Sequence, residues 1–172
     1  MRAVVLLTAL PYLQASLPGY CPACPESSSL FSDMNGKNTL TRGQSLKSFG
    51  EGSHTMQMQW DSNLVLYNDE GKPKWATGTQ GSGGTTVVLQ GDGNLVMYKD
   101  DGTSVWASQT SGRGRGPYCL MIKSKRLGIV FPGGFDLYDK LCETKYSSRA
   151  INLEVYANAT IDNSTTIDKS SR

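Results

Sequence analysis

The sequence predicts an all-β repeat protein built from short hairpins, on three observations. Short β-type runs alternate between glycine-rich turns, and no helical period can be traced over a useful length. Val87-Val88-Leu89-Gln90-Gly91-Asp92-Gly93-Asn94-Leu95-Val96-Met97-Tyr98 reads as a strand, a tight Asp-Gly turn and a second strand. The same pattern stands 31 residues earlier (90 − 59 = 31), in Gln59-Trp60-Asp61-Ser62-Asn63-Leu64-Val65-Leu66-Tyr67. The register persists downstream through Asp69/Asp100, Gly71/Gly102, Trp75/Trp106, Ala76/Ala107 and Thr79/Thr110, which marks an internal repeat.

A chain of 172 residues suits one domain, or one domain with tails. Its net charge of +2 is too small to imply a polyanion partner, so no nucleic acid is expected. Residues 1–15 read as a signal peptide: Met1-Arg2, an apolar run from Ala3 to Leu10, and cleavage after Ala15. The competing reading is an apolar strand or helix that is kept. A transmembrane segment is not expected, since the run is less than half of the ~20 residues a span needs. Residues 16–30, ending in Ser27-Ser28-Ser29, read as a lead or linker.

Cys21-Pro22-Ala23-Cys24 has the spacing of redox motifs and half zinc sites. No βαβ context and no second Cys or His pair accompanies it. Structural disulfides are the better reading, with three connectivities open among Cys21, Cys24, Cys119 and Cys142. Cys119–Cys142 is favoured, because both lie in the third repeat. The four cysteines suit an oxidising compartment.

The domain proper spans 31–146. Leu40 to Leu46 opens the first sheet, and Thr55-Met56-Gln57-Met58-Gln59-Trp60 alternates into the first motif. His54, the one histidine, lies in a loop sequence and is read as solvated. Trp75 and Trp106 close each repeat and are read as core rather than as a ligand-stacking platform, since large aromatics dominate small β cores. Trp60 stands where the second motif has Gly91, at the mouth of the first site.

The third repeat is expected to be degenerate. Placing Phe131 on the tyrosine position puts Lys123, Lys125 and Leu127 where Gln, Asp and Asn stand, with Ile129 for the valine. The carboxylate then becomes a cation and the phenol is lost. A rival alignment puts the repeat at Asn152-Leu153-Glu154-Val155-Tyr156 and ranks second. Arg113, Arg115, Lys123, Lys125 and Arg126 cluster without interleaved aromatics, and are read as a solvated loop. The Ser/Thr-rich tail, 147–172, carries the glycosylation sequons Asn158-Ala159-Thr160 and Asn163-Ser164-Thr165.

Strand alternation sets Asn94, Val96 and Tyr98 on one face, with Gln90 and Asp92 beside them at the turn. An amide, a carboxylate, a second amide and a phenol then surround a small apolar side chain. Such a set donates to and accepts from a ligand of many hydroxyls, and holds no strong nucleophile. No nucleophile–base pair, paired carboxylates or phosphate loop can be assembled, so an enzyme is not expected. One carboxylate per motif and no histidine leave no metal site, and no cofactor is expected.

Gln-x-Asp-x-Asn-x-Val-x-Tyr, complete twice, resembles the mannose-binding site of the bulb-type (monocot, snowdrop-like) lectins. Gly43-Gln44-Ser45-Leu46, Trp75-Ala76-Thr77 and Trp106-Ala107-Ser108 resemble that family too. The resemblance implies a β-prism II fold over 31–146, three four-stranded antiparallel sheets with pseudo-threefold symmetry. It implies mannose sites at Gln59, Asp61, Asn63, Val65 and Tyr67 and at Gln90, Asp92, Asn94, Val96 and Tyr98. In the family the Gln, Asp and Asn bond ring hydroxyls, chiefly the axial 2-hydroxyl, the Tyr bonds the 4-hydroxyl, and the Val packs on the sugar's carbon face. The family's usual disulfide lies elsewhere, around the first repeats. A secreted lectin recognising mannose-containing glycans and glycoproteins, plausibly in defence, is the expectation. The alternative is a lectin-fold scaffold without sugar binding that acts through protein or membrane contacts. Family members often dimerise by exchanging C-terminal strands, so a homodimer is an open expectation.

Overall fold

The computed structural model describes residues 16–48, 52–124 and 133–148. The signal peptide, both sequons and the rival Asn152–Tyr156 alignment lie outside the described residues. Among them are twelve strands: β1 (Ser29–Phe31), β2 (Thr39–Thr41), β3 (Ser45–Lys47), β4 (Thr55–Met58), β5 (Leu64–Tyr67) and β6 (Pro73–Ala76), then β7 (Thr86–Leu89), β8 (Leu95–Tyr98), β9 (Ser104–Ala107), β10 (Cys119–Lys123), β11 (Gly134–Tyr138) and β12 (Thr144–Ser147). A single 3-10 turn, Glu26–Ser28, precedes them. No helix among the described residues is long and apolar enough to cross a membrane.

The strands form three four-stranded antiparallel sheets, ordered β3-β4-β5-β6, β2-β7-β8-β9 and β1-β10-β11-β12. Each repeat supplies three consecutive strands, and the N-terminal stretch supplies the fourth strand to all three. β1 goes to the third sheet, β2 to the second and β3 to the first. The expected lead or linker, residues 16–30, therefore includes a strand of the third sheet, so the domain is closed by chain that precedes Phe31.

The central strands bury both faces. Leu64, Leu66, Leu95 and Met97 are buried on one side, and Val65 and Val96 on the other. The Leu/Met side joins one apolar cluster with Leu120, Ile122, Phe135 and Leu137 of the third sheet. Trp75 is fully buried there, edge-on to Trp106 (centroids 5.8 Å) and to Phe135 (4.9 Å), and Phe135 stacks on Tyr146 (5.7 Å). Tyr146 faces Leu137 as Trp75 faces Leu66 and Trp106 faces Met97. The repeat-closing tryptophans thus fill the space between sheets, as expected, and a tyrosine takes the third place.

Both motif hairpins use three-residue loops rather than the tight two-residue turn expected. Gly93 N–H donates to Gln90 O, Ser62 N–H donates to Gln59 O, and the next ladder bond closes beyond. The last loop residue is left-handed in each, Ser62 at φ 76° and Gly93 at φ 84°. A Cβ on Gly93 would lie 2.7 Å from the Tyr118 ring, so only glycine fits. Ser62 tolerates the position with its hydroxyl accepting from Arg42 Nη2 at 2.8 Å.

Two expectations are corrected here. The disulfides are Cys21–Cys142 and Cys24–Cys119, not Cys119–Cys142. Cys24 N–H donates to Cys21 O, a turn that presents both thiols to one end of the third sheet. All of Cys21, Cys24 and Cys119 are fully buried, in a cluster with Phe31 and Tyr138. The second correction is His54, which is buried, 4 % exposed. Its backbone extends the β3–β4 ladder: Ser48 N–H donates to His54 O and His54 N–H donates to Ser48 Oγ. Its ring lies where a Cβ on Gly133 would be, 1.9 Å from Cε1.

Burial lowers the His54 pKa, while a hydrogen bond to Gly52 O (3.1 Å) and the charge of Asp69 oppose the shift and Lys74 adds to it. The native state therefore favours neutral imidazole, and the unfolded chain takes up a proton first, near pH ~6.5. This contribution to stability is whole above that pH and falls as pH drops below it, until the native ring also protonates. The urea midpoint should decrease from pH 7.5 to pH 5.5, and His54→Gln should flatten that decrease. An equal slope in both proteins would assign it elsewhere.

Candidate functional site

Each of the first two sheets gathers its five motif residues into one candidate groove by the same devices. The loop of the hairpin holds the Asp, the ladder bond after it holds Gln and Asn in register, and the second strand holds Val and Tyr. Gln59 N–H donates to Asn63 O and Gln90 N–H to Asn94 O, both at 2.9 Å. A β-bulge falls at Leu66/Tyr67 and again at Met97/Tyr98, which turns the tyrosine relative to the strand. Gln59 Nε2 then donates to Tyr67 Oη at 2.7 Å, and Gln90 Nε2 to Tyr98 Oη at 2.6 Å. The valines, 4 % and 3 % exposed, form the floor.

Asp61 and Asp92 are exposed at the loop. One carboxylate oxygen of each accepts the backbone N–H two residues on, Asn63 and Asn94, at 2.9 Å, which fixes the loop. The loop after the third strand folds against them: Gly81 N–H donates to Asp61 O and Gly112 N–H to Asp92 O, both at 2.8 Å. The grooves differ here, because Ser111 Oγ donates to Asp92 Oδ2 at 2.7 Å, and the matching residue of the first repeat is Gln80.

The asparagines are oriented by residues that follow the repeat's tryptophan. Asn63 Oδ1 accepts from Thr77 Oγ1 (3.0 Å), Gly78 N–H (3.0 Å) and Thr79 N–H (3.3 Å). Asn94 Oδ1 accepts from Ser108 Oγ (3.1 Å) and Thr110 N–H (3.2 Å). Backbone donors identify the oxygen, so it is Oδ1, not Nδ2, that these contacts hold. Thr77, Ser108, Thr79 and Thr110 thus orient the two motif asparagines, although the motif does not contain them. Their signal was the 31-residue register, which runs on past the tryptophans.

The third sheet corrects the expected alignment. Ile122 pairs with Phe135 as Leu89 pairs with Leu95, so Lys123 holds the glutamine position, as expected. Tyr138, not Phe131, holds the tyrosine position, and Asp136 holds the valine position. From Lys123 to Tyr138 is 15 residues, against 8 from Gln90 to Tyr98, and the seven extra fall in the turn (138 − 123 = 15; 98 − 90 = 8). Lys125, Leu127, Ile129 and Phe131 lie outside the described residues. The phenol is retained, but the groove is filled from within. Asp136, 5 % exposed, accepts from Tyr138 Oη (2.8 Å) and Ser147 Oγ (2.7 Å) and pairs with Lys123 Nζ. That ammonium also lies 5.3 Å from the Tyr138 ring centroid.

At the end of this sheet Asp139 is also buried. Burial opposes its ionisation, yet the N–H groups of Glu143, Arg115 and Leu141 and the Lys145 ammonium together hold its carboxyl below the usual range. Four partners on one carboxylate make it a brace for the β11–β12 turn. No cluster of three His, Cys, Asp or Glu able to hold a metal occurs among the described residues.

No family model matches the sequence, and no curated protein does either. Solved structures do. A monocot mannose-binding lectin of Gastrodia elata, described as monomeric, is 32 % identical, with a TM-score of 0.56 over 71 % of this chain and 96 % of its own. The Japanese Marasmius oreades lectin is 26 % identical, with a TM-score of 0.57 over 74 % of this chain and 93 % of its own. These neighbours are lectins, not enzymes. The three sheets are the β-prism II fold, and the chain belongs to the bulb-type, monocot mannose-binding lectin family.

Proposed function

We propose that the protein is a secreted lectin that binds α-mannosides through two grooves, Gln59/Asp61/Asn63/Val65/Tyr67 and Gln90/Asp92/Asn94/Val96/Tyr98. The observation that carries this reading is the duplicated arrangement itself, with glutamine, tyrosine and asparagine held alike in both grooves. With Gln Nε2 donating to the phenol oxygen, Tyr O–H is left to donate to a sugar hydroxyl. Asn Nδ2 donates and the Asp carboxylate accepts, around a valine floor. A sugar with an equatorial 2-hydroxyl does not meet the last two groups, and polar groups that a ligand covers without pairing are how a site rejects an isomer.

Grooves this open bind one sugar weakly, in the millimolar range that corresponds to about −4 kcal/mol. Two grooves on one chain then supply avidity toward glycoproteins without further contacts. All three sheets are complete with four strands of this one chain, so strand exchange is not needed to finish a sheet. Secretion is supported by two disulfides and by the charge–apolar order of residues 1–15. The test is retention on immobilised mannose. Methyl α-mannoside should release the protein, and methyl α-glucoside, the equatorial isomer, should need a far higher concentration. Folded protein that passes straight through the column refutes the reading.

A further inference from the structure

The two grooves are alike in their five motif residues and unlike at the rim. Trp60, between Gln59 and Asp61, is 77 % exposed, whereas Trp75 is 1 % exposed. Exposure of one aromatic is unremarkable in itself; its seat is what matters. The indole lies against Gly43, where a Cβ would be 3.3 Å from its Cζ2 and Nε1. Gly43 is left-handed, φ 83°, and its N–H donates to Met58 O at 2.8 Å, so the seat is part of the sheet end. Arg42 anchors the other side of the same loop, donating to Ser62 Oγ and to Gly84 O at 3.0 Å. The ring thus rests on Gly43, beside two motif residues in sequence, with most of its surface open. The second groove has Gly91 there, and Asp33 Oδ1 stands 3.0 Å from where a Cβ would be.

Resting on the lectin reading above, we infer that Trp60 is a stacking subsite that makes the first groove an oligosaccharide site while the second remains a monosaccharide site. A sugar next to the one in the pocket presents a face of C–H groups, which packs on an indole at low ordering cost because tryptophan has only two side-chain torsions. The second groove offers an exposed glycine and a carboxylate at that place, which supply no such surface.

The test isolates the first groove with Asp92→Asn. This protein is titrated calorimetrically with methyl α-mannoside and with α1,2-, α1,3- and α1,6-linked mannobiose, and its indole fluorescence is followed in parallel. At least one mannobiose should bind about fivefold or more tightly than methyl α-mannoside. That mannobiose, unlike the monosaccharide, should shift the emission to the blue and shield it from acrylamide. Trp60→Gly, which copies the second groove, should bring the ratio to about one with binding of methyl α-mannoside unchanged, and Trp60→Phe should keep part of the gain. Binding of methyl α-mannoside with a ratio that Trp60→Gly leaves unchanged overturns this inference alone. No binding of methyl α-mannoside by the wild type overturns the lectin reading and this inference with it.

Discussion

Combining Asp61→Asn with Asp92→Asn should abolish retention on immobilised mannose, while either change alone should weaken it. The substitution is isosteric and keeps an oxygen to accept the N–H of Asn63 or Asn94, the bonds that set each loop at 2.9 Å. What it removes is the charge. A hydrogen bond to an ionised acceptor contributes about 1.5–3 kcal/mol and a neutral one about 0.5–1.5 kcal/mol, so each groove loses roughly tenfold in affinity. From a millimolar start, tenfold in both grooves leaves too little to hold the protein, and the avidity of two sites goes as well. The single variants keep one whole groove and should elute early rather than in the void. Unchanged circular dichroism would show that the fold stands. Retention equal to wild type in the double variant would remove the carboxylates from the site and the mannose reading with them.

That the five motif residues of each repeat come together was legible in the sequence, for a physical reason. A strand alternates with period two, and the hairpin loop is short, so five residues at fixed spacing are bound to share one groove. The 31-residue register then carried the pattern from one sheet to the next. Where the loop length changed, the same reasoning misled. A ladder that resumes after seven extra residues puts Tyr138 in line with Tyr98, and spacing alone pointed to Phe131. The groups that orient Asn63 and Asn94 come from the loop after the third strand, a contact that alternation within a hairpin does not encode. His54 was hidden for a similar reason: its burial comes from Gly133, 79 residues away (133 − 54 = 79). Least legible was the dispersal of β1, β2 and β3 to three different sheets, since strands of three residues carry too little pattern to name a partner.

The disulfides bear on the same N-terminal stretch, and they supply the largest expected effect on stability. Cys24–Cys119 and Cys21–Cys142 span 95 and 121 residues. In the chain-entropy account one such crosslink lowers the free energy of folding by about 4.7 kcal/mol for a loop of ~100 residues. The two are nested, so the second contributes less than it would alone. With Cys21–Cys142 closed, adding Cys24–Cys119 closes only the short ring made of 3 residues on one side and 23 on the other (24 − 21 = 3; 142 − 119 = 23). The same expression then gives about 3.5 kcal/mol. Replacing either pair by serine should therefore cost about 3–4 kcal/mol, and nearly the same for both pairs, despite their different spans. Replacing all four should cost about 8 kcal/mol, comparable to the whole stability of a domain of this size. Urea unfolding of the two double variants and the quadruple variant measures this directly. Digestion of the Cys24→Ser, Cys119→Ser variant without reductant should yield the Cys21 peptide joined to the Cys142 peptide. The nesting argument fails if one pair proves dispensable while the other carries the fold, for then the lead is fastened at a single point. In that case β1 would reach the third sheet through its three ladder residues, Phe31 among them, and the disulfides would only follow where packing had already led.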